Sequence, residues 1–147
     1  SIHEVCEGEL IQTEQTEKLA MTEAIYYDII YKKTASLLGA CAAVGAISVG
    51  APADRVAALR QFGDHLGIAF QIKDDILDVT STTEQLGKPV HSDEKNEKTT
   101  YVTLKGIEQA HKDVERMTEE AIDELKKFPA GDNFLEQLLK SLVYREK

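Results

Sequence analysis

No proline interrupts the chain between Pro52 and Pro89, and the middle of that interval runs from apolar residues into an aspartate-rich stretch. Leu66-Gly67-Ile68-Ala69-Phe70 is followed by Gln71-Ile72-Lys73-Asp74-Asp75-Ile76-Leu77-Asp78, and the whole reads as one helix. At about 100° per residue, Gln71, Asp74, Asp75 and Asp78 fall on one face, with Lys73 nearly opposite. Carboxylates at i/i+3 and i/i+4 spacing repel by roughly 0.2–0.5 kcal/mol per pair. The segment lies deep within its helix, beyond the reach of the positive end of the macrodipole. No sequence neighbour relieves the repulsion, so the stripe predicts a cation gathered by its carboxylates. A donor set made of oxygen alone favours Mg²⁺ over Zn²⁺. Because Mg²⁺ is commonly held by one or two carboxylates with waters and substrate phosphates, the stripe is a handle for a metal-carried diphosphate. The EF-hand spacing and its closing Glu are absent. A solvated acidic face is the plainer alternative, and the apolar flank beside Phe70 and Gln71 argues against it.

A chain of 147 residues with 42% hydrophobic and 29% charged residues has the size and balance of one globular domain. Its net charge of −9 disfavours nucleic acid and anionic membrane as partners. Cys6 and Cys41 have no metal or redox spacing and are expected as buried thiols in a reducing compartment. The longest apolar stretch, 35–51, is short and contains three glycines, so no membrane span or signal segment is expected, and a cytoplasmic location is.

Helical signals run along most of the chain. Residues 1–20 form a polar helix with Val5, Leu10 and Leu19 as apolar positions. Thr22 caps a second helix reaching about Val49, whose Ala- and Gly-rich half, 35–51, is apolar nearly all round and is expected to be central. Gly50-Ala51-Pro52 ends it, and Pro52 can open the next helix, which continues to about Val79. Gly63 and Gly67, four apart on that helix, indicate close packing against a neighbour. Residues 80–99 lack a helical period and suggest a functional lid next to the aspartates. Helix resumes over Thr100–Leu104, pauses at Gly106 and runs from Ile107 to about Phe128. A turn over Pro129–Asp132 then precedes a last amphipathic helix, Asn133–Tyr144. The fold class expected is all-α.

Four pieces fall in order: Lys33-Thr34, then Phe70-Gln71-x-x-Asp74-Asp75-x-x-Asp78, then Leu86-Gly87-Lys88-Pro89 with Asp93, then Lys98-Thr99-Thr100-Tyr101. With them the chain resembles the trans-type isoprenyl diphosphate synthases, from Cys6-Glu7-Gly8-Glu9 to about Ala110 and more loosely beyond. The resemblance implies a helical bundle with a central cavity, Mg²⁺ as cofactor, and elongation of an allylic diphosphate by isopentenyl diphosphate. By resemblance, Asp74 is the foremost metal ligand, with Asp75 and Asp78 orienting metal-bound water. Lys33 and Lys88 contact the diphosphate, Thr34 lines the cavity, Phe70 and Gln71 face isopentenyl diphosphate and the carbocation, and Lys98 helps close the site. The chemistry agrees: diphosphate leaves once metal and lysine neutralise it, and the allylic cation must be kept from water.

The family's first aspartate-rich motif and its basic G-K-x-R segment are absent from the sequence. The expectation is a single all-α domain, 1–147, forming the C-terminal half of a larger synthase, inactive alone and homodimeric when complete. His91 stands where relatives often have Gly. A non-catalytic partner subunit of a heteromeric synthase is the alternative, ranked lower because all three aspartates stand. A class I terpene cyclase would show an Asn-Ser/Thr-Glu metal triad, for which there is no good match. His3, His65 and His111 have no ligand pairing and read as surface or packing residues. Arg145 and Lys147 are read as helix C-terminal charges rather than as residues over the cavity mouth.

Overall fold

A computed structural model describes residues 2–18, 21–80, 99–129 and 133–145, and these residues contain helices and no strand. Helix α1 spans Ile2–Lys18, α2 Glu23–Ile30, α3 Ser36–Ser48 and α4 Ala53–Thr80. A five-residue π-helical segment, Tyr31–Ala35, joins α2 to α3. After the interval 81–98, α5 covers Tyr101–Lys105, α6 Ile107–Leu125 and α7 Phe134–Val143. Lys88, His91, Asp93 and Lys98, together with the expected lid and most of the expected turn at 129–132, lie outside the described residues.

Local chemistry accounts for the breaks. Thr22 caps α2, its hydroxyl accepting from the Ile25 amide at 3.3 Å. Thr100 and Thr103 form a reciprocal box at the start of α5. Between α5 and α6 the chain turns at Gly106, whose φ of +80° is a conformation that a side chain resists.

The central element is α4, which packs against α3 on one side and α6 on the other. Toward α6 and α7 it presents Phe62, Leu66, Ala69, Ile72 and Ile76, in one core cluster with Ala110, Val114, Met117, Ala121, Leu139 and Val143. Toward the other side it presents Gly63 and Gly67. A Cβ on Gly67 would lie 2.4 Å from Ala35 Cα, and one on Gly63 would lie 2.7 Å from the Gly39 backbone. The glycine pair is thus the means by which two backbones come into contact.

The expectation that residues 35–51 form the central helix is corrected. Ala35, Ser36, Gly39 and Ala46 are buried, while Leu37, Val44, Ile47 and Val49 are exposed along the far side. Cys6 and Cys41 are both exposed as well, contrary to the expectation of buried thiols.

Candidate active site

The Lys33-Thr34 pair lies within the π-helical segment, where Ser36 N–H reaches back five residues to the Tyr31 carbonyl. Such a bulge adds a residue to the turn and re-aims the side chains around it, and bulges of this kind are frequent at functional sites. Here Lys32 and Lys33 meet α1, Thr34 meets α4, and Ala35 is fully buried against Gly67. Helix α1 can close on the bulge because residue 8 is glycine: a Cβ there would sit 2.8 Å from Lys33 Cγ and 2.9 Å from Lys32 Cβ.

Both lysines are held by acceptors. Lys32 Nζ donates to Asp28 at 2.8 Å and Glu7 at 3.1 Å, and these bonds hold its ammonium above the usual lysine range. Lys33 Nζ lies 2.5 Å from Gln12 Oε1 and 2.5 Å from Glu9 Oε2. An ammonium has three N–H donors, so these contacts leave Lys33 capacity for an anion.

On α4 the motif divides into two adjoining i/i+4 rows with different surroundings. One row is Gln71 and Asp75. Thr34 Oγ1 donates to Gln71 Oε1 at 3.4 Å, which joins the π segment to α4 across 37 positions of sequence. A pocket of about 100 Å³ opens here, lined by Gln12, Lys33, Gln71, Asp75, Thr99 and Thr100 among others. Asp75 is 4% exposed, and its Oδ2 accepts from Tyr26 Oη at 2.5 Å and from the Tyr101 amide at 2.6 Å. That carboxylate ties the start of α5, just beyond the 81–98 interval, to the floor of the pocket.

The other row is Phe70 and Asp74. Asp74 Oδ1 accepts from Arg145 Nη2 at 2.6 Å, and the same guanidinium lies 4.0 Å over the Phe70 ring. Arg145 Nη1 also donates to the Leu142 carbonyl at 2.5 Å. Arg145 therefore bonds its own helix end, as the sequence reading has it, and in addition reaches Asp74 and Phe70 on α4. Asp78 lies one turn beyond Asp74 and is 3% exposed.

At Asp74 and Asp75 the repulsion is thus relieved by partners distant in sequence: Arg145, Tyr26 and the Tyr101 amide. Behind the site, Tyr101 Oη donates to Asp113 at 2.7 Å and lies 3.0 Å from Tyr27 Oη. Burial pushes the Tyr101 phenol up, and its hydrogen bonds with Tyr27 and Asp113 act in the same direction. Burial opposes ionisation of Asp113, but hydrogen bonds from Tyr101, Gln109 and Arg116 outweigh it and hold the carboxyl below its usual range.

Among the described residues no three His, Cys, Asp or Glu side chains cluster closely enough to cage a metal. The donor chemistry still suits a hard divalent cation of the kind held by one or two carboxylates, water and phosphate. The Asp74 side chain is 37% exposed, so an ion can reach it from solvent, which fits the role of direct ligand. Asp75 and Asp78, both buried, fit supporting roles. Sequence reasoning missed Tyr26, Glu9 and Gln12. Tyr26 could have been found, since it shares a helical face with Ile29 and Ile30 and a buried tyrosine hydroxyl needs a partner. Glu9 and Gln12 carry no such signal, because nothing local shows which face of α1 meets the bulge.

Comparison with known proteins gives a consistent picture. The family model described as polyprenyl synthetase matches residues 1–140. A short chain isoprenyl diphosphate synthase of Methanothermobacter thermautotrophicus is 46% identical over 114 residues, covering 77% of this chain and 35% of that protein. The heptaprenyl diphosphate synthase of Staphylococcus aureus superposes with a TM-score of 0.93 at 28% identity, covering 99% of this chain and 57% of that one. A polyprenyl synthase of Caulobacter crescentus, solved with calcium and isoprenyl diphosphate, gives 0.85 at 30% identity, covering 99% and 56%. The chain thus spans about a third of the first curated relative and somewhat over half of these solved ones.

Proposed function

The chain belongs to the polyprenyl synthetase family, and from that premise we propose that it forms one wall of a prenyltransferase site joining an allylic diphosphate to isopentenyl diphosphate. The observation that carries the reading is the meeting of the Lys33-Thr34 bulge with the Phe70-to-Asp78 face, where Thr34 bonds Gln71 beside a pocket lined by Lys33 and Asp75. A relative solved with a divalent cation and isoprenyl diphosphate supports the ligand classes.

In this reading Asp74 holds Mg²⁺, with Asp75 and Asp78 fixing the ground behind it. The cation, when bound, neutralises the charge that develops on the departing diphosphate. Lys33 adds a second positive charge from the π segment, and Lys88 and Lys98 do the same from the interval 81–98. Thr34 and Gln71 line the wall beside the reacting carbons. Phe70 turns its ring face toward positive charge, as it does toward Arg145. The allylic cation is attacked by the double bond of isopentenyl diphosphate and a proton is lost, so the product is five carbons longer. No nucleophilic side chain is needed.

The first aspartate-rich motif and the G-K-x-R segment are absent from these residues. The proposal therefore includes that turnover requires a complementary half, with this chain as the C-terminal part of a homodimeric synthase. Among the described residues no helix is long and apolar enough to cross a membrane.

The test is a thermal shift with Mg²⁺ and inorganic pyrophosphate. The unaltered protein is expected to gain several degrees, and Asp74→Ala and Lys33→Ala to lose most of that gain. An equal gain in Asp74→Ala would overturn the assignment. Product formation is then measured with the missing half of a relative supplied in trans, where Asp74→Ala is expected to cost at least about 100-fold in kcat.

A further inference from the structure

Arg145 and Asp74 are 71 positions apart in sequence, yet their contact is built from three sides. The guanidinium has the Asp74 carboxylate at 2.6 Å, the Leu142 carbonyl at 2.5 Å and the Phe70 ring face at 4.0 Å. Its side chain is 16% exposed, so solvent screens it less than an ordinary surface pair. Carboxylate, carbonyl and aromatic face are all electron-rich, and together they describe a place that selects a cation. Arg145 fills it from within the chain.

The occupied carboxylate is the one member of the stripe with appreciable solvent access among Asp74, Asp75 and Asp78. Asp75 Oδ2 is taken by Tyr26 and the Tyr101 amide. A divalent ion arriving at the stripe therefore meets a carboxylate that already bears a guanidinium. Two cations within a few ångströms on one carboxylate repel strongly in a partly buried setting.

We propose that Arg145 is the resident counter-ion of Asp74, and that Arg145 and a divalent cation exclude one another there, so that loading the site releases the C-terminal turn. The inference rests on the assignment of Asp74 as a metal-holding residue. Its consequence is reciprocal: whatever loosens Arg145 tightens the cation, and the cation loosens Arg145 by the same factor. The contact to Leu142 carries the effect into the end of α7, since the residue that leaves Asp74 is part of that helix terminus.

The experiment measures Mn²⁺ binding to the purified protein by loss of the free-ion EPR signal, for the unaltered chain, R145Q, F70L and D74N. R145Q is expected to tighten Mn²⁺ roughly threefold to tenfold, the range that breaking a partly sheltered ion pair supplies. F70L keeps every charge and removes only the ring beneath the guanidinium, and is expected to tighten Mn²⁺ about twofold. D74N is expected to lose this binding. In parallel, trypsin cleavage after Arg145, followed by mass, is expected to accelerate when Mn²⁺ is added to the unaltered protein and not to D74N. Tightening in R145Q without any in F70L would mean a general change of electrostatic field and would overturn the exclusion. No tightening in R145Q, or weaker binding, would overturn it as well, and with binding still lost in D74N the metal assignment would stand. Unchanged binding in D74N would remove the cation from Asp74 and overturn both.

Discussion

Helices α3 and α4 lie side by side and reverse the usual relation between hydropathy and burial. Helix α3, Ser36–Ser48, carries no charged residue, yet it leaves Leu37, Val44 and Ile47 exposed at 43%, 63% and 60%. Helix α4 carries Asp54, Arg55, Arg60, Asp64, Lys73 and the three aspartates, yet it holds the centre. The difference lies in how many faces find a partner. On α4 one face is cut down to glycine for α3, another is branched and aromatic for α6, and the charged residues meet specific partners. On α3 a single face is matched, and the rest is apolar surface left open to solvent. Hydropathy measures how much surface a helix must bury; complementarity decides which helix is surrounded. The open stripe also predicts self-association of this chain, and a compact monomer on size-exclusion chromatography would contradict that.

The sharpest way to test the contrast is within α4, at two adjacent aspartates. Asp75→Ala removes the acceptor for the Tyr26 hydroxyl and the Tyr101 amide and leaves both donors buried. It is expected to cost about 3 kcal/mol or more in chemical denaturation. Asp74→Ala is expected to cost about 1 kcal/mol, because the Asp74 side chain is part-exposed and Arg145 keeps the Leu142 carbonyl and the Phe70 ring. Equal losses would mean that the two rows of the stripe share one environment, and the division of roles between them would fail.

Next in size is the glycine contact itself. Gly67→Ala places a methyl group 2.4 Å from Ala35 Cα, a backbone atom that cannot swing aside. The two helices must part, at a cost of roughly 1–3 kcal/mol. Gly45→Ala makes the same chemical change on the open face of α3, where a Cβ would meet nothing within 4 Å. There the helix gains propensity and the protein is expected to become more stable by about 0.5–1 kcal/mol. Melting curves of the two variants should move in opposite directions. A shared sign would show that helix propensity, not contact, governs both sites.

These residues also show how far the sequence could be read. The all-α class, the Thr22 cap, the pause at Gly106 and the close packing at Gly63 and Gly67 each depend on residues near one another in sequence, and all were readable. The π-helical turn at Lys33-Thr34 was not, because a bulge changes phase without changing the hydrophobic pattern on either side. The exposure of α3 and Cys41 does not follow from periodicity, which reports that a face is apolar, not that a partner exists. The Asp74 to Asp78 stripe was identified as a charge problem, but its relief comes from Tyr26, Tyr101 and Arg145, which are 49, 26 and 71 positions away from the aspartates they bond. Local pattern states the requirement and the fold supplies the partner.

The smallest predicted effect lies where the matched face of α3 meets a charge. A Cβ on Gly39 would lie 2.0 Å from Asp64 Oδ1, so that carboxylate is pressed into the interface beside Arg60. Burial pushes the Asp64 carboxyl above its usual range, and the Arg60 charge offsets this in part. The sign follows from linkage. A folded-state pKa above the unfolded value means that ionisation opposes folding, with the penalty complete above the folded pKa and relieved as pH falls through it. Asp64→Asn removes the titration, so its stability relative to the unaltered protein is expected to be highest near neutral pH and to decline as the solution is acidified toward pH 4. The gain at neutral pH is expected to be a few tenths of a kcal/mol, because the variant also gives up the Arg60 contacts at 3.4 Å. If Asp64→Asn instead loses stability at neutral pH, then Arg60 outweighs burial, and the charged residues of α4 stabilise the interface rather than being tolerated in it.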